Sequence, residues 1–84
     1  MMDTKKLQVK ITSKDKTYYQ GEAFAVSSKN EIGVFDILAK HANFVTTIMG
    51  YVDVHKDSQN KIRFEMDRGI LKVRENIVEI FMGI

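Results

Sequence analysis

His41 and His55, with Ser27, Ser28, Asp36, Asp53 and Asp57 distributed around them, are the residues whose types could begin chemistry. A hydrolase would take Ser27 or Ser28 as nucleophile, His41 as base and Asp36 as the group that orients it. The sequence offers neither a strand–elbow–helix context for the serine nor an evident set of oxyanion donors. A metal centre would draw on His41 and His55, with Asp53 or Asp57. The two histidines lie fourteen positions apart with no third ligand type at metal spacing, and the absence of cysteine removes any thiolate site. His55 is instead expected to point outward at a strand end. Gly33, Gly50 and Gly69 do not form a phosphate loop, because no helix follows any of them; they read as turn or bulge positions. The sequence thus predicts no catalytic residue, no metal and no cofactor.

A binding function remains. Tyr18, Tyr19, Phe24 and Tyr51 could stack bases if the chain were a small β-barrel that binds nucleic acid. The basic residues do not interleave with these aromatics, so Phe24 is expected in the core and the tyrosines at the margin with their hydroxyls wet. A net charge of +2 is too small to announce a nucleic-acid partner. Lys5, Lys6, Lys10, Lys14 and Lys16 crowd one end and read as a solvated strand face that protects a sheet edge.

The elements that must position these residues follow from alternation. In "LQVKIT", Leu7, Val9 and Ile11 share one face; in "KIRFEMD", Ile62, Phe64 and Met66 do the same. "SKDK", "KNEIG", "DSQN", "RG" and "REN" read as turns, and Gly21 as a bulge. No segment has a convincing helical period, and residues 35–45 could hold one helical turn at most. Residues 1–84 form a single domain, all-β: a two-layer antiparallel β-sandwich or flattened barrel of about ten short strands. Its expected core is Val9, Ile11, Phe24, Val26, Leu38, Val52, Val54, Ile62, Phe64, Leu71, Val73 and Ile80. Neither a signal-type leader nor an apolar run of membrane-spanning length is present, so the protein is expected to be soluble or at most peripheral.

The order of residues carries more. Leu7, Val9, Ile11, Ser13 and Asp15 are followed by Tyr19, Gly21 and Ala23, then by Val26 and Ser27. Next come Gly33, Phe35, Ile37, Leu38, His41 and Ala42, and finally Gly69, Ile70, Leu71, Val73 and Val78. Residues 7 to 82 in this order resemble the N-terminal β-sandwich of the epsilon subunit of F-type ATP synthases, called delta in mitochondria. Asp36 stands where that family has a second glycine, and Asn43 where it has a proline. Asparagine tolerates turn geometry, so the loop can keep its path. The family usually continues into a helical hairpin. This sequence stops at Ile84, and no hairpin is expected.

The resemblance implies a non-catalytic rotor subunit that couples c-ring rotation to the gamma shaft. It places Ser13, His41, Ala42 and Asn43 at the gamma interface, and Lys29, Asn30 and Glu31 at the c-ring. It implies no nucleic acid and no small-molecule substrate. Membrane contact would be indirect, through the ring, at the cytoplasmic face of a bacterial inner membrane or the equivalent organelle membrane. Without the hairpin, ATP binding and a brake on hydrolysis are not expected.

Overall fold

The computed structural model describes residues 6–83; Lys5 of the basic cluster lies outside the described residues. Seven strands follow in order: β1 (Leu7–Thr12), β2 (Thr17–Ala23), β3 (Ala25–Lys29), β4 (Val34–Leu38), β5 (Phe44–His55), β6 (Lys61–Arg74) and β7 (Ile77–Met82). They form one hydrogen-bonded sheet in the order β2-β1-β7-β6-β5-β3-β4. All neighbours are antiparallel except β1 and β7, which run parallel with Gln8 opposite Ile77 and Ile11 opposite Ile80.

One sheet becomes two layers because β5 and β6 are long and bent. Their register shifts at Met49/Gly50, where Asp67 is the extra residue on β6. Such a bulge sharpens the local twist and folds the ribbon over. Gly50 has φ 90°, a left-handed value that suits glycine. At Gly69 a Cβ would lie 2.7 Å from the Phe81 carbonyl oxygen, so β7 approaches β6 more closely there than a side chain would permit. One end of the ribbon then pairs with β7, β1 and β2, the other with β3 and β4. A single cluster from both ends, including Ile11, Ile48, Leu71, Val26, Ile37 and Val54, fills the space between.

The sandwich is therefore built from seven strands and not about ten. "RG" at 68–69 does not turn the chain, and Gly50 does not split β5; both lie within continuous strands. The register shift against β1 falls between Ile11 and Thr12, while Gly21 pairs regularly with Val9. Three expected core residues lie outside. Phe24 is 49% exposed at the crossing from β2 to β3, where its small neighbours Ala23 and Ala25 take the inward positions. Leu38 is 49% exposed because adjacent strand residues face opposite ways and Ile37 faces in. Ile62 is 38% exposed near the start of β6, while Phe64 and Met66 pack against the core from its rim.

Candidate interaction surface

The His41 loop is built by its two flanks. Lys40 takes a left-handed conformation (φ 68°), and so do both residues of the β6–β7 turn, Glu75 (φ 50°) and Asn76 (φ 66°). Two successive left-handed residues are what a tight hairpin of matching twist requires. Loop and turn are then sewn together. The Lys40 N–H donates to Asn76 Oδ1 at 2.5 Å, and the Glu75 N–H to Asn43 Oδ1 at 3.4 Å. The Gln8 N–H donates to the Asn76 carbonyl at 2.8 Å, which ties the same turn to β1.

Above this brace the His41 ring meets Phe44 edge-on at 5.6 Å, and Phe44 meets Phe35 at 5.7 Å. His41 Nδ1 lies 2.7 Å from the Ala42 carbonyl oxygen. A carbonyl can only accept, so Nδ1 carries the hydrogen, and in the neutral ring Nε2 holds the lone pair. Ala42 and Asn43 are exposed beside it.

The turn after β3 is organised by Asn30. Its Oδ1 accepts the N–H groups of Ile32 and Gly33, and its Nδ2 donates to Thr46 Oγ1 on β5. Lys29 and Glu31 are exposed around it, and Ile32 is 96% exposed. Ser13 lies in the β1–β2 turn, where its Oγ accepts the Asp15 N–H. It sits at the far end of β1 from the Gln8–Asn76 contact, so the structure does not bring it together with His41.

The residues weighed for chemistry take other roles. Ser27 joins Asp36 (2.6 Å) and His55 (2.8 Å), not His41. Its one hydrogen goes to the Asp36 carboxylate, so His55 Nε2 must donate to the serine oxygen. That is the reverse of a base that would activate a nucleophile. Ser28 Oγ donates to the Tyr51 carbonyl. Asp53, buried at 4% exposure, accepts Arg63 Nε at 2.7 Å and a second Arg63 nitrogen at 2.9 Å, with Lys61 at 3.5 Å. The guanidinium beside Asp53 holds its carboxyl below the usual value despite burial, and the same bond raises Arg63. Asp57 is also lowered, first by the Asn60 side chain and then by backbone N–H groups. Among the described residues no group of three or more acidic or histidine side chains could hold a metal. The tyrosines make no common platform. Tyr18 lies under Lys16, Tyr19 packs on Phe64, and Tyr51 lies under Arg63.

Sequence reasoning missed two polar groups, Asp53–Arg63 and Asp36–Ser27–His55. Both are cross-strand contacts, and only the pairing of β4, β3, β5 and β6 reveals them.

Residues 6–83 match the family described as "ATP synthase, Delta/Epsilon chain, beta-sandwich domain". The ATP synthase epsilon chain of Clostridium botulinum is 34% identical over 74 residues, covering 87% of this chain and 55% of that one. That of Sulfurimonas denitrificans is 28% identical over 78 residues, covering 92% and 60%. The chain thus spans roughly three-fifths of the length of these curated relatives. A chain in the cryo-EM structure of the Euglena gracilis mitochondrial ATP synthase (OSCP/F1/c-ring, rotational state 1) superposes with TM-score 0.84 at 20% identity. That match covers 92% of this chain and half of the other.

Proposed function

The chain belongs to the β-sandwich family of ATP synthase delta and epsilon chains, and we propose that it is a non-catalytic subunit of the rotor. In this reading it joins the gamma shaft to the c-ring by protein contacts alone. The observation that carries the reading is the extent of the family match, residues 6–83, which takes in every strand of the sandwich.

The geometry supplies a mechanism. The loop His41–Asn43 meets gamma, with Ser13 as a separate contact at the other end of β1. His41 offers Nε2 to a donor on gamma, while Phe44 and Phe35 back its ring. The turn at Lys29, Asn30 and Glu31 meets the ring. Torque entering at that turn passes through Asn30–Thr46 and the β3–β5 ladder into β5, and from β5 through β6 to the brace at Glu75–Asn76. Every link is a strand or a hydrogen bond of one sheet, so the two contact regions cannot slide independently. The protein would sit peripherally at the cytoplasmic face of the membrane, or its organelle equivalent, touching the membrane only through the ring. The Ser27 hydroxyl gives its hydrogen to Asp36 while His55 donates to the same oxygen, so the histidine is not placed to take that proton, which fits a purely mechanical role.

The test is association with gamma. His41→Ala should weaken binding to gamma while the melting of the isolated chain stays within a degree or two, because the ring bonds only its own neighbour's carbonyl and the edge of Phe44. Undiminished gamma binding by this variant would remove His41 from the interface. Failure of the unaltered chain to co-purify with gamma would remove the rotor reading itself.

A further inference from the structure

We infer that β4 accepts an added strand from a different polypeptide, one that places a lysine or arginine between two apolar residues opposite Asp36. The inference goes beyond the loop and turn assigned above and does not depend on which protein donates the strand.

β4 is the last strand of the sheet, and among the described residues it pairs only with β3. The Asn30 N–H to Gly33 carbonyl bond sets the alternation of the hairpin. In an antiparallel pair, bonded and non-bonded positions alternate. Phe35 and Ile37 therefore bond toward β3, and the N–H and C=O groups of Val34 and Asp36 face the open edge. The Leu38 carbonyl, next in that row, already accepts the His41 N–H at 3.1 Å, which closes one end. What stays open is a window of both backbone groups of Val34 and of Asp36, with the Leu38 N–H beyond them.

Edge strands are ordinarily blunted by lysine, proline or a bulge. The opposite edge, β2, has such devices: the register shift near Thr17 and Lys16 lying over Tyr18. β4, "VFDIL", carries none of them. Its outward side chains are apolar on either side of one charge, with Val34 71% and Leu38 49% exposed around Asp36. An added strand would gain main-chain bonds from the window and side-chain contacts at alternate positions.

Charge decides what that strand is. A second copy pairing antiparallel across β4 would set Asp36 against Asp36, and like charges directly opposite destabilise a pair. The register that keeps the whole window sets each Asp36 against the other copy's Val34, which offers no cation and leaves the two carboxylates diagonally adjacent on one face. A cation opposite Asp36 is favoured instead. Ser27 occupies only Oδ1, so Oδ2 can meet it. Position agrees with charge: β4 runs directly from the turn at 29–33 to the loop at 39–43, so an added strand would join the two proposed contact regions into one surface.

The test uses a capped heptapeptide, Thr-Val-Thr-Lys-Thr-Val-Thr, and its counterpart with central glutamate, titrated to millimolar concentration against the full chain. Amide exchange is followed by NMR. The lysine peptide should slow exchange at Val34 and Asp36 at least tenfold and bind about tenfold more tightly than the glutamate peptide. N-methylation of the lysine peptide at the amides facing β4 should abolish the protection. Asp36→Asn keeps an oxygen acceptor for Ser27 and removes the charge, so it should bind both peptides alike. Unchanged exchange at Val34 and Asp36, or equal binding of the two peptides by the unaltered chain, overturns the inference. So does protection that appears with rising protein concentration and no peptide, which would mark self-pairing. The rotor reading is judged separately, by co-purification with gamma.

Discussion

Replacing Asp53 by asparagine removes a charge from beneath the outer face of β5 while keeping the side chain's shape. Asp53 is 4% exposed and holds Arg63 at 2.7 and 2.9 Å. Hydrogen bonds to a charged group contribute about 1.5–3 kcal/mol each, against about 0.5–1.5 for neutral ones. In Asp53→Asn one acceptor survives as a bond from the Arg63 cation to a neutral amide oxygen, and the other becomes an NH₂ facing an Arg63 donor. The Arg63 side chain is 47% exposed and can turn to water, so the loss should fall well below the full value of both bonds. We expect a cost of about 2 kcal/mol, a fall in Tm of about 10 °C for a chain of this size. The pH dependence supplies the sharper test. Because the carboxyl of Asp53 is lowered in the folded chain, its contribution is fully present above the unfolded value of about 4. It is lost as pH falls through the folded value. Asp57, also lowered, is common to both proteins and cancels in the difference. Melts of the two proteins from pH 7 to pH 2 should therefore converge below about pH 4. Curves that stay parallel across that range would refute the assignment of this stability to the Asp53 charge.

Gly69→Ala would set a Cβ 2.7 Å from the Phe81 carbonyl oxygen and 3.0 Å from Met66 Sδ. A lower urea midpoint equivalent to about 1–3 kcal/mol is expected, and an unchanged midpoint would mean β7 can move away freely. Ile48→Ala, at a fully buried site in the bent ribbon, should cost about 2–5 kcal/mol. Ile32→Ala, at 96% exposure, should shift the same melt by less than about 0.5 kcal/mol.

Alternation made much of this legible in advance. Leu7, Val9 and Ile11 face inward as their spacing predicts, and the all-β sandwich follows from strands of that kind. The strand count was not legible, because Gly50 and Gly69 look alike whether a chain turns or a strand bulges; only partner register distinguishes the two. The parallel pairing of β1 with β7 leaves no local trace, since it joins residues about seventy apart. The alternation of "KIRFEMD" sets Arg63 on the face opposite Ile62, Phe64 and Met66, where a change is expected to shift stability by less than about 0.5 kcal/mol. The register sets it opposite Asp53, and the expectation reverses. Of the candidate contact residues, His41 and Asn43 fall in one braced loop. The brace itself, through Asn76, lies more than thirty residues away and could not be read from the loop's own sequence.

The place of β7 has a consequence for synthesis. Among the described strands β7 is made last, yet it lies inside the sheet, between β6 and β1, the one made first. Until residues 77–82 leave the ribosome, the β1–β2 hairpin has no strand to join, and the apolar faces of Leu71 and Val73 lack one cover. Closure must wait for a contact of very long sequence separation, the kind that slows folding and leaves strand edges open meanwhile. A nascent chain paused before Ile77 would therefore hold two unjoined pieces, and emergence of residues 77–82 would complete the sandwich in one step.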